Sequence, residues 1–172
     1  MKRLSPIAVA IAVLAAGCSS STTPTPTTPT NPTFTATLLP ANEIPPIVGA
    51  EASITGNASI TLVTTKDAAG NITAATATFV VNVSNLPAGS TINIAHIHEC
   101  DRTCSAGVIV STTLVAGEVT VTNGVASFTK AGITVLPEVA QRILSNPAGF
   151  YFNVHSTLNP GGVARGQLNR VS

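Results

Sequence analysis

His96, His98 and His155 are the three histidines of this 172-residue chain. They stand in two segments, Ala95-His96-Ile97-His98 and Tyr151-Phe152-Asn153-Val154-His155-Ser156. Side chains two apart in a strand share a face, so His96 and His98 point the same way. Two imidazoles on one face, with a third from another strand, suit copper or zinc. Three such ligands leave a coordination position open. Ile92 and Ile94 share the side of His96 and His98, which predicts that this side faces inward for part of the strand. Buried neutral imidazoles need hydrogen-bond partners or a metal. The competing reading has the three rings bonded to one another, to Glu43 and to backbone, as polar structure near a barrel mouth.

Other groups lie close to this set. Cys100 and Cys104 follow the histidine doublet, and a Cys-x3-Cys loop that turns can close as a disulfide where the compartment is oxidising. The alternative makes Cys100 and Cys104 thiolate ligands, which favours copper(I) or zinc. Glu43 lies in Asn42-Glu43-Ile44-Pro45-Pro46, where two prolines set an extended path that can bring it to the histidine end. A buried or half-buried structural ion pair of Glu43 with Arg165 is the expectation. No Gly-x-Ser-x-Gly, His-Glu-x-x-His or phosphate-binding glycine loop occurs. No enzyme is expected and no catalytic residue is assigned.

The chain begins Met1-Lys2-Arg3, runs through apolar residues from Ile7 to Ala16 and reaches Leu14-Ala15-Ala16-Gly17-Cys18. Basic, apolar, then small is the grammar of a secretory signal, and the run is too short to span a bilayer. The small residues ending in Gly17-Cys18 resemble a bacterial lipobox. That resemblance implies cleavage of residues 1–17 and lipidation of Cys18, whereas an ordinary signal would leave Cys18 incidental. Ser19 after the cysteine implies the outer membrane or cell surface, extracytoplasmic and lipid-anchored. Residues 18–33 are almost all Ser, Thr and Pro after Cys18, with nothing apolar to bury, and read as a disordered tether.

Residues 34–172 are long enough for one domain with a real core. Without Lys2 and Arg3 six basic side chains face seven acidic ones, a balance of about −1. With no basic patch and few aromatic residues, nucleic acid is not an expected partner. β-branched runs predict strands over 34–39, 54–65, 72–83, 91–98, 108–114, 149–156 and 163–169. Asn123-Gly124 joins 118–122 to 125–129 as a tight hairpin. Phe79, Val81 and Val83 fall on one face of their strand. Leu136, Val139, Ala140, Ile143 and Leu144 have helical spacing, and Pro137 and Asn146-Pro147 bound a short helix near 136–145 that covers core. The fold class is therefore all-β: an antiparallel β-sandwich or flattened Greek-key barrel with that one helix.

Ordered along the domain are Phe34-Thr35-Ala36-Thr37-Leu38, Asn42-Glu43-Ile44-Pro45-Pro46 and Ala95-His96-Ile97-His98. Gly149-Phe150-Tyr151-Phe152-Asn153-Val154-His155-Ser156 and Pro160-Gly161-Gly162-Val163-Ala164-Arg165-Gly166-Gln167-Leu168 follow. This set resembles the chordin-type domain, CHRD. The resemblance implies an all-β extracellular module without an established enzymatic activity. Glu99-Cys100-Asp101-Arg102-Thr103-Cys104 replaces the family's usual glycine-rich turn, and Val163-Ala164 stands where it often has Glu-Ile. There is also a faint resemblance to copper–zinc superoxide dismutase, whose two metals need six histidines, twice the number here. A single copper site with Arg165 drawing in anions is the enzyme reading this leaves. Two functions follow from the residues. One is a tethered binding or interaction module for an envelope or extracellular ligand. The other is a single-site copper or zinc protein using His96, His98 and His155; no other cofactor is implied.

Overall fold

The computed structural model describes residues 31–172. The expected signal segment, Cys18 and the expected tether as far as residue 30 lie outside the described residues. Ten strands and one helix follow in the order β1 (Thr33–Leu38), β2 (Thr55–Lys66), β3 (Ile72–Ser84), β4 (Ile92–Glu99), β5 (Val108–Ser111), β6 (Val121–Thr122), β7 (Val125–Val135), α1 (Pro137–Ser145), β8 (Phe150–Ser156), β9 (Ala164–Gln167) and β10 (Asn169–Arg170). They form two antiparallel sheets, ordered β10-β1-β2-β3-β7-β6 and β5-β4-β8-β9. The architecture is the sandwich of the two expected alternatives.

Alternation builds the core. Phe34, Ala36 and Leu38 of β1, Ala58, Ile60 and Leu62 of β2, and Phe79, Val81 and Val83 of β3 all face inward and are buried. The small sheet answers with Ala95, Ile97, Phe150, Phe152 and Val154. Phe79 and Phe152 stack across the gap, their ring centroids 5.7 Å apart. At one end the sheets touch directly through a bridge between Leu39 and Arg165. There a Cβ at Gly166 would overlap the Thr37 carbonyl, so only glycine lets β9 press so close to β1.

Several boundaries differ from the sequence expectation for identifiable reasons. The strand expected to end at 129 runs on to Val135 because Gly132, at φ +69°, sits in a bulge and lets the ladder to β3 resume. The strand expected over 108–114 stops at Ser111, since Thr112 turns its amide and its hydroxyl to the Ala95 carbonyl and Thr113 adopts φ +59°. The hairpin forms as read, with Asn123 and Gly124 at φ +51° and +74°, but only Val121 and Thr122 pair on its first arm. Glu118 instead binds Lys130.

Helix α1 starts with Pro137 in its first turn and buries Val139, Ala140 and Ile143 against β3. Leu136, expected on that face, is exposed as the N-cap. Arg142 ties the helix to β4 through a forked bond to Glu99. No described helix is long and apolar enough to cross a membrane.

Candidate metal centre

A bulge in β4 decides where the histidines point. Ile92 pairs with Ser156 and Ile94 with His155, so Asn93 is an extra residue on β4. One inserted residue inverts the facing of all that precede it. Ile92 is therefore in the core while Ile94 is on the outer face with His96 and His98, and Ala95 and Ile97 take the inward positions. The expected inward-facing histidine side is corrected: it is the outer side of the small sheet.

Cross-strand register assembles that outer face. His98 stands opposite Tyr151, His96 opposite Asn153 and Ile94 opposite His155. On the far side of β8, Gln167 is opposite Tyr151 and Arg165 opposite Asn153. His98 and Tyr151 stack at 4.7 Å between centroids. His96 lies edge-on to both other imidazoles, at 5.7 Å from His98 and 5.1 Å from His155.

One nitrogen from each of His96, His98 and His155 lies within 4.8 Å of the other two. A point no more than about 2.8 Å from all three therefore exists, against metal–nitrogen bonds of ~2.0 Å. The rings need only a small contraction to close on an ion. His98 Nδ1 donates to the Ala106 carbonyl and His155 Nδ1 to the Pro160 carbonyl, each at 2.8 Å. A carbonyl can only accept, so in the neutral ring each Nε2 carries the lone pair. Both Nε2 atoms, and Nδ1 of His96, are buried without a partner. Backbone carbonyls that orient imidazoles in this way are the usual support of metal-binding histidines.

Electrostatics keep His96 and His98 in their ligating form. Burial, and after it the neighbouring His155 and His98 rings, push His96 down to about 4. Burial also lowers His98, against the backbone bonds at Ala106 and Gly107 that favour its charged form. Of the polar-structure reading the bonds to backbone are present, at Ala106 and Pro160, while the rings make no hydrogen bond to one another or to Glu43.

The segment after β4 roofs this face. Cys100 and Cys104 are joined as a disulfide, with Cα atoms 5.8 Å apart. The thiolate-ligand alternative is thereby corrected, since both sulfurs are bonded to each other. Arg165 threads beneath the loop: Nε donates to the Asn42 carbonyl, Nη1 to the Cys104 carbonyl and Nη2 to the Arg102 carbonyl. Its guanidinium lies 4.4 Å from the Tyr151 ring centre. Gln167 donates to the Cys100 carbonyl. At 2% exposure Arg165 is closed off from direct contact with solvent, its donors taken up by carbonyls.

The expected direct pair of Glu43 with Arg165 is corrected too. No Glu43 oxygen comes within 4.0 Å of the guanidinium, whose donors are engaged by carbonyls. Arg165 acts on Glu43 through space. Burial pushes the Glu43 carboxyl up to about 7, with the Arg165 charge and a bond from Asn153 resisting. A hollow of about 440 Å³ beside Glu43 is lined also by Asn42, Arg102 and Gln167, and by none of the histidines.

Two residues had no assigned role at the sequence level. Glu51 is 1% exposed and accepts bonds from Ser90, Ser156 and Asn159, tying the β2 approach to the end of β8. No local pattern announces it. Asn153 shares a face with Tyr151 and His155 by alternation, a signal that was available at the sequence level.

A CHRD-domain family model matches residues 34–168. No curated protein and no solved structure matches the chain. The match spans β1 through the end of β9 and takes in all three histidines, the disulfide loop, Glu43 and Arg165. By this match, extending over most of the sequence, the chain belongs to the CHRD-domain family.

Proposed function

We propose that this protein is a lipid-anchored binding module of the cell envelope whose ligand is one copper or zinc ion, held by His96, His98 and His155. The observation that carries the reading is that His96, His98 and His155 bring one nitrogen each within 4.8 Å of the others and that each ring also holds a buried nitrogen without a partner. An unsatisfied buried polar atom costs about 1–3 kcal/mol. Three in one cluster is an arrangement that a metal ion relieves and that apolar packing does not. Membership of a family of generally non-enzymatic modules favours binding over turnover. The disulfide fits an oxidising compartment, and Gly17-Cys18 after an apolar run fits acylation at Cys18.

The test is metal analysis of protein purified without a histidine tag and loaded with copper or zinc. About one equivalent is expected, lost in His98→Ala while the circular dichroism stays that of a sheet protein. Wild-type protein that is folded and retains neither metal overturns the reading. Anchoring is tested separately: labelled palmitate is incorporated in the parent chain and not in Cys18→Ala, which is released from the membrane fraction. Equal release of both would remove the anchor from the proposal.

A further inference from the structure

The three histidines are spread over more of the sheet than their ring contacts suggest. On the outer face the rows run His98 with Tyr151, His96 with Asn153, and Ile94 with His155. His98 and His155 are thus two same-face rows apart, roughly 13 Å along the strands. Their ligating nitrogens nevertheless lie within 4.8 Å. The two outer rings therefore lean toward each other over the middle row, where His96 and Asn153 stand. Asn153 stands opposite His96 in that middle row, between the rows that carry the two outer rings.

The Asn153 amide is held in place. It is 4% exposed, and its Nδ2 donates to Glu43 Oε1 at 2.9 Å. Gly162, at φ +130°, packs on it so closely that a Cβ would come 2.9 Å from Nδ2 and 3.2 Å from both Oδ1 and Glu43 Oε2. Any side chain at 162 would displace the amide and the carboxylate together. With its nitrogen fixed, Oδ1 is left buried and without a partner, as the three imidazole nitrogens are.

We infer that Asn153 completes the centre as its fourth donor, through Oδ1, and that this donor set of three imidazoles and one amide oxygen selects a divalent ion, Zn2+ or Cu2+, over Cu+. The inference rests on the reading that the histidines hold a metal. An amide oxygen is a hard donor that adds to the binding of a divalent ion and adds nothing for the soft monovalent one, which three imidazoles already satisfy. All four donors are uncharged, so the ion's own charge attracts the oxygen lone pair without a carboxylate in the set.

The experiment measures Zn2+ and Cu+ affinities separately, by competition with chromophoric chelators, on the untagged domain. Asn153→Ala is expected to weaken Zn2+ by about 10–100-fold, the range for losing a supporting group at a metal site, and to leave Cu+ unchanged. Asn153→Asp keeps an oxygen in the same place, and it binds Zn2+ at least as tightly as the parent. Wild-type Zn2+ affinity in Asn153→Ala, or an equal loss for both ions, overturns the inference with the histidine site intact. If Asn153→Ala does not fold, weaker Zn2+ binding in folded Asn153→Asp overturns it by itself. A wild-type protein that takes up neither ion removes the histidine reading and this one together, an outcome distinct from the others.

Discussion

Glu43 and His96 are shifted in opposite directions by the same cause. Burial disfavours the charged form of each, which raises a carboxyl and lowers an imidazole. Glu43 goes from 4.5 to about 7, so its contribution to stability is complete below pH 4.5 and disappears as pH rises through 7. His96 goes from 6.5 to about 4, so the stability of its neutral form is present above pH 6.5 and is lost as pH falls toward 4. The two slopes oppose each other between pH 4.5 and 6.5, and a plain pH–stability curve of the metal-free protein conceals both. Glu43→Gln separates them, because glutamine keeps the protonated shape and cannot ionise. Its melting temperature relative to the parent should climb from pH 5 to about pH 7 and level off by pH 8 in chelator-treated protein. A constant offset across that range would mean that Glu43 ionises freely in the fold.

Among the elements, the disulfide loop between β4 and β5 does the most to position the candidate centre. It has no regular structure, yet its carbonyls take up three of the Arg165 and Gln167 donors. It also supplies the Ala106 carbonyl that orients His98. Its backbone meets Tyr151 as well, through the Ala106 amide and the tyrosine hydroxyl. Closing so short a loop lowers the entropy of the unfolded chain by about 2 kcal/mol at 25 °C. The paired replacement Cys100→Ser with Cys104→Ser should lower unfolding free energy by about that amount in urea melts. It should also weaken Zn2+ binding while leaving sheet content unchanged, because His98 loses its fixed acceptor and not its place in β4. Unaltered metal affinity in the double variant would show that the loop roofs the site without orienting it.

For the whole molecule, the two sheets must stay locked for the outer face to hold its register. Phe79 and Phe152 are fully buried and stack between the sheets. Phe79→Ala should cost about 3–5 kcal/mol, measured by chemical denaturation, since it deletes the large side chain that spans the interior. A loss under about 1 kcal/mol would mean the sandwich closes by other contacts.

The alternation of β-branched and aromatic residues made the strand class legible, and 72–83 with Phe79, Val81 and Val83 inward is its plainest case. Asn123-Gly124 announced its hairpin, and Pro137 with Asn146-Pro147 bracketed the helix, because each acts through local backbone geometry. The presence of three imidazoles and two nearby cysteines was equally visible. Which way the histidines face was not, because Asn93 is a bulge only by virtue of the partner strand it fails to match. The same holds for Gly132, for the carbonyls that capture Arg165 and for the burial of Glu51 and Asn153. The linear chain by itself determined the strand pattern and the stock of donors. Only the tertiary structure decided that rings spread over three rows of sheet lean onto one point, since side-chain convergence depends on cross-strand register and on what roofs the face.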